Sequence, residues 1–269
     1  MPPIEEDPAR ALIDRYDRTA SDYRELWAPT LRLAGRRLLR EMAQRPARRI
    51  LDVATGVGSL LPDLREVFPS AHIFGVDRSR GMLGLVPKAF PVAAMDACQL
   101  AVASSSVDVV LIAFVLFLLQ EPEVSLREAG RVLTAGGRVA CITWGGEFES
   151  RATRVFDECL DAHGAQPRDP SVLARQAAVD TPLKMEALLC GAGFMDVRSW
   201  EDELVDHFEP DRLLLLKTRL GFSKTRFDNL EPAVREDCLD SVRQRMEFLV
   251  EDDFNARGKV IYSVAGGFV

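Results

Sequence analysis

The sequence predicts an α/β fold: a doubly wound sheet of seven mostly parallel strands, with extra helices at the N-terminus and between the later strands. Three observations carry the prediction. From Arg48 onward, short apolar runs alternate with helical segments, the pattern of repeated strand-helix units. One run, Val107-Asp108-Val109-Val110-Leu111-Ile112-Ala113, is continuously apolar after its acidic residue, as a parallel strand covered on both faces should be. The stretch Arg49-Ile50-Leu51-Asp52-Val53-Ala54-Thr55-Gly56-Val57-Gly58-Ser59-Leu60-Leu61 passes from an apolar strand through an acid into a glycine-rich turn and a helix start. Such turns lie where open α/β sheets bind their ligands.

The elements follow in order. Residues 8–27 read as an amphipathic helix or helix pair with Leu12, Tyr16, Tyr23 and Trp27 on its apolar side. Those aromatics serve either as plain core or as a cover closing over a ligand. Pro29 starts the next helix and Pro46 ends it. Strand one is 49–53, and a helix over about 59–68 follows, with Ser59 as its cap. Strand two is 72–76, ending in Asp77, and Ser79 caps a helix running to about Lys88. Strand three is 90–94, strand four 107–113, and a helix over 122–133 stops at Ala135-Gly136-Gly137 before strand five at 138–144. Residues 147–190 are helical with a break at Pro167 and Pro170, strand six is 194–200, and a helical stretch over 209–250 precedes strand seven at 260–264. A connection of that length between two strands usually carries function.

Composition sets limits. A chain of 269 residues with 47% apolar and 28% charged residues is an ordinary globular protein, large enough for a full core. Its net charge of −7 and lack of a basic patch argue against nucleic acid and against an acidic membrane surface. The five cysteines are scattered, with no Cys-x-x-Cys pair, so neither a metal site nor a disulfide framework is expected. The acidic start, Met1 to Asp7, lacks a signal-peptide profile, and the apolar run 107–119 falls short of a bilayer span. The expectation is a soluble, cytoplasmic protein.

The glycine turn has two readings. A dinucleotide fingerprint, Gly-x-Gly-x-x-Gly, would need a glycine where Leu61 stands. Asp52 would also repel a pyrophosphate, whereas it favours a ligand carrying positive charge. Acidic or polar positions recur at the ends of successive strands: Asp52, Asp77, Asp96 and the segment starting at Ala113-Phe114. This order resembles the class I S-adenosylmethionine-dependent methyltransferases, in particular their small-molecule, type 11-like branch. The resemblance covers residues 8–145 and resumes over Lys184–Val197; the two helical regions match in placement only.

The resemblance implies a Rossmann-like methyltransferase fold and S-adenosyl-L-methionine as cofactor. Asp52 to Gly58 corresponds to the family's Asp-x-Gly-x-Gly-x-Gly motif, so Asp52, Ala54, Thr55, Gly56 and Gly58 would line the cofactor. Ala54 replaces the first glycine, a mild departure provided that position needs no positive φ. Asp77 corresponds to the acid that accepts both ribose hydroxyls, with Arg78 beside it; a helix cap is its bland alternative. Asp96 and Ala97 correspond to the pair that recognises adenine, with Met82 and Met95 either sandwiching the ring or simply filling core. Ala113, Phe114 and Tyr23 would border the methionine part. Tyr16, Trp27, Phe117, Trp144 and Phe148 are the expected walls of the acceptor pocket.

Those assignments divide the chain into an N-terminal helical lid at 1–47, a cofactor-binding core at 48–145, a helical insertion at 146–181, and a C-terminal part at 182–269 with a second insertion at about 205–255. The implied activity is methyl transfer to an O, N or C atom of a small organic acceptor, of the kind met in secondary metabolism, driven mainly by alignment of the partners. Catalytic residues stay undetermined. His163 and His207 are weak candidates that serve equally as solvated or capping side chains, and His72 is structural. The family often has a histidine just after strand four, and Val115 to Leu119 has none. Two alternatives stay open: a non-methylating enzyme that retains the cofactor, for instance in a cyclisation, and a cofactor-binding regulatory protein. A homodimer also stays open.

Overall fold

The computed structural model describes residues 8–268. The acidic N-terminal segment used above to exclude a signal peptide lies outside them. Seven strands form one sheet in the order β3-β2-β1-β4-β5-β7-β6. Here β1 is Arg49–Val53, β2 His72–Asp77, β3 Val92–Ala94, β4 Val107–Ala113, β5 Leu133–Trp144, β6 Asp196–His207 and β7 Asn255–Gly266. Every pairing from β3 to β5 is parallel, and β7 lies antiparallel between β5 and β6. The strand order reverses between β1 and β4, so the turn after β1 opens at the switch point of the sheet.

Helices α1 (Pro8–Asp22) and α2 (Ala28–Met42) precede the sheet and are joined by one wide helical turn at Tyr23–Trp27. Leu31, Ala34, Leu38, Leu39 and Met42 recur at helical spacing and are all buried against the sheet. Burial on this scale, at ~25 cal/mol per Å² of apolar surface, is what docks α2. Its open C-terminal carbonyls are met by Arg138 of β5, a buried guanidinium that donates to Met42 O (2.9 Å) and Arg45 O (2.7 Å). Then come α3 (Leu61–Val67), α4 (Arg80–Leu83) and α5 (Pro122–Val132). The first insertion holds α6 (Arg151–Ala162) and α7 (Pro170–Ala177), and α8 (Pro182–Gly191) leads into β6. Between β6 and β7 stand α9 (Pro210–Arg219), α10 (Gly221–Asp228) and α11 (Pro232–Met246). These helices pack with α6 around their own core, centred on Phe156, Phe208, Leu213 and Cys238.

The expected elements are present, with corrections at their ends. Ser59 is not the cap of α3; Leu60 occupies that position and no side chain caps it. Helix α4 is four residues long, because the chain turns at Gly84 rather than continuing to Lys88. Ser79 does cap it, accepting from the Met82 N–H. The Ala135-Gly136-Gly137 stretch lies inside β5, as an irregularity in its pairing with β4, instead of ending before the strand. Strands β6 and β7 run twelve residues each, far beyond 194–200 and 260–264. They form a two-stranded ribbon paired from Asp196↔Gly266 to His207↔Asn255. Cross-strand charge pairs hold its exposed face: Lys259 to Glu201 at 2.8 Å and Arg257 to Glu203 at 3.7 Å. Glu201 and Glu203 thus lie on a solvated strand face, and Asp202, on the opposite face, pairs with Arg37 of α2. All five cysteines are free thiols, and no helix among the described residues is long and apolar enough to cross a membrane.

Candidate functional site

The parallel strands deliver their carboxyl ends to one edge of the sheet, and the sequence places its unusual residues there. After β1 the backbone turns through three residues of positive φ: Ala54 at 57°, Gly56 at 57° and Gly58 at 71°. Gly58 leaves no room for a side chain, since a Cβ there would meet Val86 Cγ1 at 2.9 Å. Ala54 corrects the expectation of a harmless replacement. The position does require a left-handed conformation, which in an L-residue costs about 1–2 kcal/mol. Gly75, inside β2, explains the next residue: a Cβ on it would lie 2.7 Å from Thr55 Cγ2, so only glycine lets Thr55 fold down onto the strand. From there the Thr55 hydroxyl donates to Asp52 Oδ2 at 2.6 Å.

Two carboxylates lie in this turn. Asp52 is 3% exposed, and burial pushes its carboxyl up to about 7, with the Thr55 hydroxyl opposing and the Asp77 charge adding to the rise. Asp77, at the end of β2, accepts the Gly56 N–H at 2.9 Å on one oxygen and the Ser79 N–H at 2.8 Å on the other. Burial raises its carboxyl as well, and these backbone donors partly offset the rise. Each carboxylate oxygen accepts more than one hydrogen bond, so Asp77 keeps acceptor capacity on both. Helix α1 packs over the turn. Asp17 accepts from Ser79 Oγ (2.5 Å) and from the Gly81 N–H (2.8 Å), and the Tyr23 ring lies over Gly56, whose added Cβ would be 3.9 Å from Tyr23 Cε1.

Further along the edge, Asp96 follows β3, accepts from the Cys98 N–H at 2.8 Å and stands 3.7 Å from Arg78. Ala97 is buried beside it. Met95 is half-buried against the sheet core, and Met82 is 2% exposed in a small cluster with Ala20, Ala28 and Val57 beneath Tyr16 and Tyr23. At the end of β4, Ala113 is followed by Phe114 at φ 54°. A bulky residue in that region marks local strain, and such strain gathers at functional sites. Its ring packs 4.7 Å from Trp144 at the end of β5.

Beside this edge opens a cavity of about 390 Å³. All five expected wall residues line it, Tyr16, Trp27, Phe117, Trp144 and Phe148, together with Tyr23 and Phe114. Their rings interlock: Trp27 to Trp144 at 5.8 Å, Trp144 to Phe148 at 5.4 Å, Trp27 to Phe208 at 6.4 Å. Sequence reasoning missed the far wall, Arg168 of the first insertion and Lys217, Ser223 and Lys224 of the second. No local motif marks them, and only the tertiary fold brings them to the cavity. Phe208 was legible in principle, as the aromatic residue that directly follows β6.

Neither candidate histidine lines the cavity. His163 closes the C-terminal end of α6, its Nδ1 2.7 Å from Cys159 O. His207 ends β6, its Nδ1 2.9 Å from Asn255 Oδ1 and its Nε2 3.6 Å from Glu209. Both are occupied by local partners, so they are withdrawn as catalytic candidates.

Residues 51–141 match the family described as Methyltransferase domain. Among curated relatives, the ubiquinone/menaquinone biosynthesis C-methyltransferase of Syntrophotalea carbinolica is 37% identical over 108 residues, 38% of this chain and 46% of its own. The chain thus spans about half the length of that relative. The demethylmenaquinone methyltransferase of Streptomyces griseus is 27% identical over 227 residues, covering 81% of this chain and 89% of its own. The solved structure of a SAM-dependent methyltransferase from Thermotoga maritima has the same fold, with a TM-score of 0.53 and 17% identity over 94% of this chain and 99% of that one. Residues 51–141 of this chain thus carry a methyltransferase domain, set in a seven-stranded sheet with its glycine turn at the switch point.

Proposed function

We propose that this protein transfers the methyl group of S-adenosylmethionine to an O, N or C atom of a small, largely apolar organic acceptor. The observation that carries the reading is the adjacency of two features: an acid-lined glycine turn at the sheet's switch point and an aromatic cavity sharing Tyr23 and Phe114 with it. The residues fit the cofactor. Asp77 retains acceptor capacity for ribose hydroxyls, Asp52 supplies negative charge near a cationic methionine end, and Gly56 leaves space under Tyr23. When bound, that group supplies an electrophilic methyl on a sulfonium with a neutral leaving group.

The chain's own contribution is placement. Asp77, Arg78, Met82, Met95, Asp96 and Ala97 would hold the nucleoside end, while Ala54, Thr55, Gly58 and Ala113 shape the methionine end. The rings of Trp27, Trp144 and Phe148 would fix the plane of the acceptor and exclude water. Holding two partners in line is worth about 7–11 kcal/mol of barrier in well-oriented cases. No histidine reaches the cavity, which favours an acceptor that is already nucleophilic. We assign residues 1–47 the role of a lid, in which α1 and the following turn bring Tyr16, Tyr23 and Trp27 to the cavity, and the two helical insertions that of acceptor walls around the 48–145 core. The volume of the cavity and the chain's net charge of −7 support a small-molecule acceptor, such as a secondary metabolite, over nucleic acid.

The test is release of S-adenosylhomocysteine from S-adenosylmethionine across a panel of phenolic, amine, carboxylate and quinol-type acceptors. Acceptor-dependent release supports the reading. Tight cofactor binding with no release from any acceptor would favour a cofactor-retaining or regulatory protein instead.

A further inference from the structure

The lining of the cavity carries a charge imbalance that methyl transfer alone does not require, with Arg15 of α1 set over the Tyr16 ring and the other cations on the far wall. Five of the residues lining the cavity are Arg or Lys and two are acidic, in a chain whose net charge is −7. Arg219 and Lys224 are held by Asp22 and Asp228 outside the cavity. Arg168 and Lys217 are different. Arg168, with 25% of its side chain exposed, donates to both oxygens of Glu147 through Nη1 alone, at 2.8 and 3.0 Å. Its Nε–Nη2 edge has no hydrogen-bond partner among the described residues. That edge is the fork that matches a carboxylate or similar oxyanion with two parallel N–H bonds. Lys217 is 14% exposed; its Nζ donates to Asp157 Oδ2 at 2.9 Å and to Ser223 Oγ at 3.3 Å, which leaves one of its three N–H donors. Arg168 of the first insertion and Lys217 and Ser223 of the second line the same cavity.

We propose that Arg168 and Lys217, with Ser223 beside them, form a subsite for an anionic group on the acceptor, and that the acceptor is an amphiphile: an aromatic or apolar body against Trp27, Trp144 and Phe148 with a single carboxylate or comparable oxyanion at its far end. The identification of the cavity with the acceptor site rests on the methyltransferase reading; the anion preference does not. An anion seated there orients the body, because charge fixes one end while the aromatic walls confine the other.

The experiment uses two fluorescent probes with one aromatic body, 1-anilinonaphthalene-8-sulfonate and its neutral counterpart N-phenyl-1-naphthylamine, titrated into the full chain in the presence of S-adenosylhomocysteine. Probe emission reports binding, and Trp144→Ala, which removes a cavity wall, should weaken both probes if they bind there. The wild type should bind the sulfonate at least about tenfold tighter than the neutral probe, as a charge-assisted contact in a partly buried site implies. Arg168→Gln and Lys217→Met should each remove most of that preference, and Glu147→Gln, which frees the second edge of Arg168 and removes a repelling charge, should increase it. Equal binding of the two probes by the wild type overturns the proposal, and so does a preference that survives both Arg168→Gln and Lys217→Met in folded protein. Sulfonate preference together with no calorimetric binding of S-adenosylmethionine would sink the methyltransferase reading and leave the anion subsite standing.

Discussion

Asp52 offers the sharpest physical test of the glycine turn. Its carboxyl is buried, accepts one hydrogen bond from Thr55, and is pushed up to about 7 with burial as the largest cause. In the unfolded chain the same group ionises near 3.9. The sign follows from linkage. Below pH ~4 both states hold the proton and no stability is lost; between ~4 and ~7 the unfolded chain releases a proton that the native state keeps, so stability falls as pH rises; above ~7 both are ionised and the loss is complete. At 1.36 kcal/mol per unit, the full loss is on the order of 4 kcal/mol, of which about 3 kcal/mol falls between pH 5 and pH 8. Asp52→Asn keeps an oxygen for the Thr55 hydroxyl and cannot titrate. Urea unfolding of cofactor-free protein should therefore show the variant gaining on the wild type by about 3 kcal/mol from pH 5 to pH 8, a midpoint shift of roughly 1 M. A difference between the two proteins that is the same at both pH values would refute the reasoning and show that Asp52 ionises as an ordinary carboxylate.

The remaining predictions concern the cofactor, the strained turn, the cavity and α1. Because a cation beside Asp52 favours its ionised form, binding of S-adenosylmethionine near pH 7 should release a proton, seen as a dependence of the calorimetric heat on buffer ionisation enthalpy; a buffer-independent heat would contradict this. Ala54→Gly should relieve the positive φ and stabilise the protein by about 1 kcal/mol, raising Tm by roughly 2–4 °C in a thermal melt, whereas a lower Tm would show that the turn is not strained there. Trp144→Ala should raise acceptor KM by about tenfold or more while cofactor affinity stays within about twofold, since the ring touches Phe114, Trp27 and Phe148 rather than the glycine turn. Asp17→Ala removes the acceptor of the Ser79 hydroxyl and the Gly81 N–H, contacts of the kind worth about 0.5–2 kcal/mol at a helix start, so trypsin should cut at Arg15 and Arg18 several-fold faster. An unchanged cleavage rate would mean that other contacts hold α1.

How much of this was legible in the sequence depended on whether the determinant was local. Strands β1 and β4 were predictable to the residue, because a continuous apolar run ended by an acid or a turn has few other meanings in a parallel sheet. The walls of the cavity were legible where aromatic residues followed strand ends. The antiparallel ribbon of β6 and β7 was not, because its distal half alternates charges that pair only across strands forty-seven residues apart. Ala54 looked innocuous because a residue's φ is imposed by the whole turn and not by its own side chain. His163 and His207 drew notice as the usual acid-base residues, yet His163 is bound by the carbonyl one helical turn back and His207 by Asn255 across the ribbon. Arg168 and Lys217 carried no signal at all: they sit in insertions without motif and come to one cavity through tertiary packing alone.

The central claim is that the turn from Asp52 to Gly58, closed by Asp77 and covered by Tyr23, holds S-adenosylmethionine. Isothermal titration with that compound, on wild type and on Asp77→Asn, tests it most directly. The account predicts saturable one-to-one binding by the wild type and at least about tenfold weaker binding by the variant, since a neutral amide accepts the ribose hydroxyls less strongly than a carboxylate. No binding by the wild type, or equal affinity in both, would contradict it.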